Sequence, residues 1–155
     1  MTLVELLVII VVLIVLSRFL FVTLGPRRCT TDLQTTTSKI AATLREAEGR
    51  AAAQESSTVW GVYFLNATTT ANTASFYALF KTAFVSPTNS VGYYALPQSI
   101  RYVTSTIPRG SSTTITFAQI TGIPSTSTVI SLELQNCQKY GSSTIQLNTN
   151  GTVSY

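Results

Sequence analysis

Hydrophobic and polar positions follow three successive patterns along this chain. From 3 to 24 the residues are apolar almost without break, interrupted only by Glu5, Ser17, Arg18 and Thr23. A helix apolar on all sides has to be buried somewhere, and the run has about the length, roughly 20 residues, that crosses a bilayer as a helix. From 29 to 55 the pattern becomes amphipathic. Leu33, Thr37, Ile40, Leu44, Ala47, Ala51 and Gln54 recur at alternating steps of four and three, which predicts one buried helical face. The alanines among them raise helix propensity and permit close approach of another surface. Lys39, Arg45, Glu46, Glu48, Arg50 and Glu55 lie mostly off that stripe and read as a solvated face.

After Ser56-Ser57 the period shortens to alternation. Segments 58–65, 75–80, 100–106, 113–120, 128–135 and 143–148 carry β-branched and aromatic residues between turn formers, which predicts antiparallel strands. Gly25-Pro26 separates the first two patterns, because Pro lacks an N–H and disfavours helix in the residue before it. A kink or non-helical stretch is therefore expected between Thr23 and Arg28. Arg18 is expected to point toward a carbonyl or acid of another subunit. The expected organisation is a hydrophobic stalk over 1–25 and a globular head over 26–155, with a helix at 29–55 and a β-rich part at 58–155. The expected fold class is α+β: a long N-terminal helix, half apolar and half amphipathic, packed on an antiparallel sheet.

Composition narrows the function more than the fold. The chain of 155 residues has no His and only six acidic residues. That leaves few groups for general acid–base catalysis, and Glu46 and Glu48, two apart, do not face each other on a helix. No enzyme activity, cofactor or metal site is expected. Cys29 and Cys137 are too far apart for a CxxC redox or zinc motif, and the two readings are a long-range disulfide and two buried thiols. The net charge of +4 suits ordinary solubility, and a weak DNA contact through Lys81, Arg101, Arg109 and Lys139 is the alternative. Asn66-Ala67-Thr68 and Asn150-Gly151-Thr152 match the N-glycosylation pattern. Ahead of the apolar run there is no basic region, and no small-residue cleavage site follows it, so the opening does not read as a secretory signal peptide.

Glu5 is the residue that the apolar run does not explain. An acid at a membrane centre costs roughly 2.5–3.5 kcal/mol on the lenient scale. It could sit at the bilayer edge, or support the helix dipole from the first turn, or pair with a positive charge at low dielectric. For the third reading the nearest unexplained positive charge is the α-amino group of Met1 on a neighbouring copy. The stretch TLVELLVIIVVLIVL resembles the N-terminal signature of type IV pilins and of the pseudopilins of type II secretion, with Thr2, Leu3, Val4, Glu5, Leu6 and Leu7 matching in order. The resemblance implies that a leader ending in Gly is removed by a prepilin peptidase, that Met1 is the mature and N-methylated terminus, and that Glu5 serves assembly. Further on, Arg45-Glu46-Ala47, Leu96-Pro97, Ile115, Phe117, Gly122 and Gly151 resemble the head of H-type minor pseudopilins and related minor pilins, with a closing strand–Gly–strand hairpin. The chain departs from the family at Ile14 and Val22, where Gly and Pro are usual.

The family likeness implies a type IV pilin fold and a structural role: identical subunits packing their apolar helices into an extracellular filament. The leading expectation is the major, filament-forming subunit. The alternatives are a minor pilin or pseudopilin of a secretion or DNA-uptake system, and a single-pass membrane-anchored adhesin or binding module. Against the last, the positive-inside rule would put Arg27-Arg28 in the cytoplasm. The implied partners are further copies of the chain, the membrane before assembly, the assembly machinery and peptidase, and DNA or surfaces. The implied location is the inner membrane, then the filament at the cell surface.

Overall fold

The computed structural model describes residues 3–68, 74–135, 137 and 141–155, without the side chains of residues 18–28. Its elements run α1 (Leu3–Ala52), β1 (Trp60–Leu65), β2 (Phe76–Lys81), β3 (Gly92–Ala95), β4 (Ile100–Tyr102), β5 (Ser112–Phe117), β6 (Thr128–Leu134), β7 (Ser142–Leu147) and β8 (Val153–Ser154). The strands form two four-stranded sheets, in the orders β3-β2-β1-β5 and β4-β6-β7-β8, and every neighbouring pair is antiparallel.

This corrects the expected fold class. A type IV pilin has a long N-terminal helix packed on its sheet. Here α1 is one helix whose side chains are described over residues 3–17 and 29–52. Only the second section lies against the strands, and the strands form a two-sheet sandwich. Alternation along a strand tells which residues share a face but not which strands pair, so one sheet and two look alike in sequence. The division happens at Leu96-Pro97, where Pro97 cannot continue a ladder and the chain leaves β3 to pair β4 with β6 in the other sheet. Two sheets bury two inner faces against one core, whereas a single sheet under one helix would leave much of its apolar face wet.

The core joins all three layers. Leu33, Ile40, Leu44, Ala47 and Ala51 of α1 pack with Trp60, Val62, Phe64, Tyr77, Leu79, Ile115 and Phe117 of the first sheet and with Tyr102, Ile130, Leu132, Ile145 and Leu147 of the second. The sheets meet where the Phe64 and Tyr102 rings stand edge to face at 6.2 Å, and the Tyr102 hydroxyl donates to Phe76 O. All of the expected helical stripe is buried except Gln54. Gln54 is exposed because the helix has ended: its φ of 54° is left-handed, as at many helix C-termini, and a short 3-10 turn, Glu55–Ser57, follows.

Several strands depart from the reading in sequence: 100–106 is strand only as far as Tyr102, and β2 is buried on both faces. The segment 113–120 leaves the sheet after Phe117. Ile120 adopts a positive φ and donates its N–H to Ala51 O, satisfying a carbonyl in the last turn of α1. β3 is unexpected altogether, being four residues long with mostly exposed side chains. Residues 23–28 are helical within α1, so the non-helical stretch expected there is not found; the orientation of Arg18 lies outside the described side chains.

Candidate assembly surface

The first section of α1 touches neither sheet. From residue 6 to residue 16 every side chain is apolar and exposed, and among the large apolar residues of 3–16 the exposure runs from 44 % at Ile9 to 81 % at Leu3. Helical geometry spreads such a run over all sides of the rod, so no face is left for solvent. Ser17 is exposed and donates its hydroxyl to Ile14 O at 2.9 Å, which satisfies that donor within the helix. Glu5 lies in the first turn, where a carboxylate faces unsatisfied N–H groups, and its side chain is exposed. Met1 lies outside the described residues. Among the described residues no helix is long and apolar enough to cross a membrane.

Cys29 and Cys137 are joined in a disulfide across 6.5 Å between Cα atoms. The bond ties the start of the packed section of α1 to the connection between β6 and β7, so of the two readings left open by sequence the disulfide is the one found.

The charged residues read as a solvated face of α1 are partly structural. Arg45 donates to Val153 O at 2.9 Å and lies over the Tyr155 ring, holding β8 and the chain end to the helix. Arg50 lies 4.8 Å from the centre of the Trp60 ring while bonding Glu46 and Glu55. Glu48 is turned toward two tight turns. A methyl group on Gly151 would meet Glu48 Oε1 at 2.6 Å, and one on Gly122 would meet Glu48 Cγ at 3.2 Å. Both glycines have positive φ, so any side chain there would be strained as well as crowded. Burial pushes the Glu48 carboxyl above its ordinary pKa, and nearby Arg45 pulls the other way. Burial likewise pushes the Tyr77 hydroxyl up to about 12, with Tyr94 adding to it, and raises Tyr102 well above the usual tyrosine range, with Tyr77 adding to it.

The basic residues considered for DNA do not converge. Arg101 is paired with Glu133 at 2.6 Å. Lys81 lies opposite Trp60 at one end of the first sheet. Arg109 precedes β5 at the other end, where Ser112 lies opposite Leu65, and six residues of strand between them span about 17 Å. Lys139 lies outside the described residues. The two glycosylation patterns also separate. Asn66 is 4 % exposed and its side-chain nitrogen donates to Ile107 O at 2.7 Å, so the atom that would carry a glycan is engaged in the core. Asn150 is exposed, and its carbonyl accepts from Thr152 N and from the Thr152 hydroxyl. Among the described residues no group of His, Cys, Asp or Glu could hold a metal ion. Comparison with protein-family models, curated proteins and solved structures finds no match, so the pilin likeness rests on the residues that carry it.

Proposed function

We propose that the chain is a filament subunit of the pilin or pseudopilin kind, which polymerises by burying residues 3–17 of α1 among the same residues of other copies. The observation that carries this reading is the apolar section exposed on every side. Complete burial of one large aliphatic side chain contributes about 1.5–3 kcal/mol. Even half of that over a dozen such side chains comes to roughly 10 kcal/mol or more, which no exposed conformation of the monomer recovers. Before assembly the section sits in the inner membrane. Afterwards it forms the filament core, with the heads outside at the cell surface. An assembly machinery and a peptidase are the partners such a route needs.

Glu5 has its role in that transfer. An ionised carboxylate carried into an apolar core loses hydration worth several kcal/mol, recovered only against a positive charge with good geometry. The amino terminus of a neighbouring copy supplies such a charge and sets the axial register between copies. A test is Glu5→Ala expressed in cells. Filament yield is expected to fall by roughly tenfold or more, the factor that 1.4 kcal/mol represents, with the chain still folded and membrane-associated. Normal filament yield would overturn the pairing role. Membrane association without filaments in the unmodified chain would point instead to a single-pass anchored module.

A further inference from the structure

The two sheets treat their edges differently. In the second sheet the edge strands are short: β8 has two residues, and β4 has three, one of them Arg101 in its ion pair with Glu133. Charge and brevity are the usual protections of an open edge. The first sheet lacks the charge, and its edge strands have four and six residues. Its edges are β3 and β5, and no charged residue occurs from 82 to 100 or from 110 to 132, the stretches that contain them.

The hydrogen-bond phase shows which backbone groups these edges offer. Leu96 N donates to Ser75 O, which makes Phe76 and Ala95 a non-hydrogen-bonded pair. By alternation Ala78 and Tyr93 are the next such pair. The N–H and C=O groups of Tyr93 and Ala95 therefore point away from β2. On the far side Asn66 N donates to Ser111 O, so Leu65–Ser112 and Tyr63–Thr114 are non-hydrogen-bonded pairs, and the groups of Ser112 and Thr114 point outward. Thr116 O points the same way and already accepts from Ser125 N at 2.8 Å, which leaves 112–115 as the open part. No other described backbone group bonds to the outward groups of Tyr93, Ala95, Ser112 or Thr114.

We propose that β3 of one copy adds to β5 of the next, antiparallel, with Tyr93 opposite Thr114 and Ala95 opposite Ser112. Three properties meet in this pairing. The first is direction: four strands alternating antiparallel put β3 and β5 in opposite senses, so a copy displaced along the sheet presents β5 antiparallel to β3. The second is register: each edge offers two outward residues spaced by two, and only this alignment satisfies both pairs at once. The third is facing. Tyr93 lies opposite Ala78 with its ring 4.8 Å from Phe76, and Thr114 lies opposite Tyr63, whose ring is 6.0 Å from Phe76. Both side chains thus share the outer face, while Tyr94, stacked on Tyr77, and Thr113, opposite Phe64, share the inner one. The sheet continues with its faces matched. Because the two edges differ, the contact is head to tail and generates an open chain of heads. As the head contact of a filament it rests on the proposed function; as an association between copies it stands on the sheet alone.

The test is the full-length Tyr93→Cys/Thr114→Cys double variant, oxidised mildly with the native disulfide intact, in detergent micelles that cover the apolar section and in assembled material. Opposed residues in such a pair have Cα atoms about 5.5 Å apart, within disulfide range. The expected result is a reducible ladder of dimers, trimers and larger species, roughly tenfold above either single variant. Multimers no more abundant than in the single variants would overturn the pairing. Should the double variant lose its circular-dichroism signal, Tyr93→Pro serves instead. Proline there removes the outward donor and the Tyr93 ring beside Phe76 but no hydrogen bond to β2, and with the circular-dichroism signal kept, head association in detergent, read by ultracentrifugation, should weaken about tenfold; unchanged association overturns the proposal. Filaments without the 93–114 link would reject the edge contact and leave the filament reading. A ladder from a chain that makes no filaments in cells would do the reverse.

Discussion

Residues 3–17 and 29–52 belong to one helix, yet they solve opposite problems. The first section is apolar on every side and buries nothing within its own chain; the second is apolar on one face and covers two sheets with it. Propensity does not separate them, since β-branched Val and Ile crowd the first while alanine enriches the second, and both are helical. What separates them is where their apolar surface can go. A single stripe is satisfied by partners within the same molecule, here the inner faces of the two sheets. A surface around the whole rod needs partners on all sides, and one small head cannot supply them.

Lysine placed in each section should break the comparison most sharply. Ile40 is wholly buried, so Ile40→Lys forces an unpaired charge into the core and should cost more than about 4–5 kcal/mol, a large share of the roughly 5–15 kcal/mol that holds a domain folded. Val12→Lys should leave the head's stability within about 0.5 kcal/mol and prevent assembly. Urea denaturation followed by circular dichroism reads the first effect, and sedimentation of assembled material reads the second. Equal stability losses from the two variants would show that the first section packs on its own head after all.

The border between the sections is Cys29, and a Cys29→Ser/Cys137→Ser variant tests how firmly the packed section begins there. The disulfide spans 108 positions. A closed loop of that size stabilises by on the order of 4–5 kcal/mol in the chain-entropy model, with 2–4 typical of measurement. Denaturation with and without reductant should show a loss in that range for the native chain and no reductant effect for the variant. Assembly through the first section should survive in proportion to the folded fraction.

The smallest expected effect comes from Glu48, at the far end of the packed section. Its folded pKa is raised above the usual glutamate value of 4.5, so the folded state holds its proton more tightly than the unfolded one. The sign follows from linkage: stability from this group is fully present below about 4.5 and falls as pH rises through the folded value. Glu48→Gln keeps the size facing Gly151 and Gly122 and removes the charge. The variant should be slightly more stable than the native chain at pH 7, with the difference gone at pH 3. Thermal denaturation at the two pH values checks it, and a variant less stable at pH 7 would mean that Arg45 outweighs burial.

Periodicity alone determined much of this molecule. The steps of four and three named the buried stripe from Leu33 to Ala51, and alternation placed most of the strands, because both signals arise from local geometry that repeats whatever lies opposite. The apolar run around Glu5 was equally plain, since a helix with no polar face announces its need for a partner. Other properties waited on contacts between distant residues. Strand pairing divided the head into two sheets, the carbonyl of Ile107 removed Asn66 from the surface, and Val153 O turned Arg45 from a solvated charge into a clamp. β3 is short and exposed, with little alternation to reveal it, and the open edge it creates exists only once β2 has taken its other side. Such features depend on which segments meet, and that is settled by the cooperative filling of one core, which no window along the chain contains.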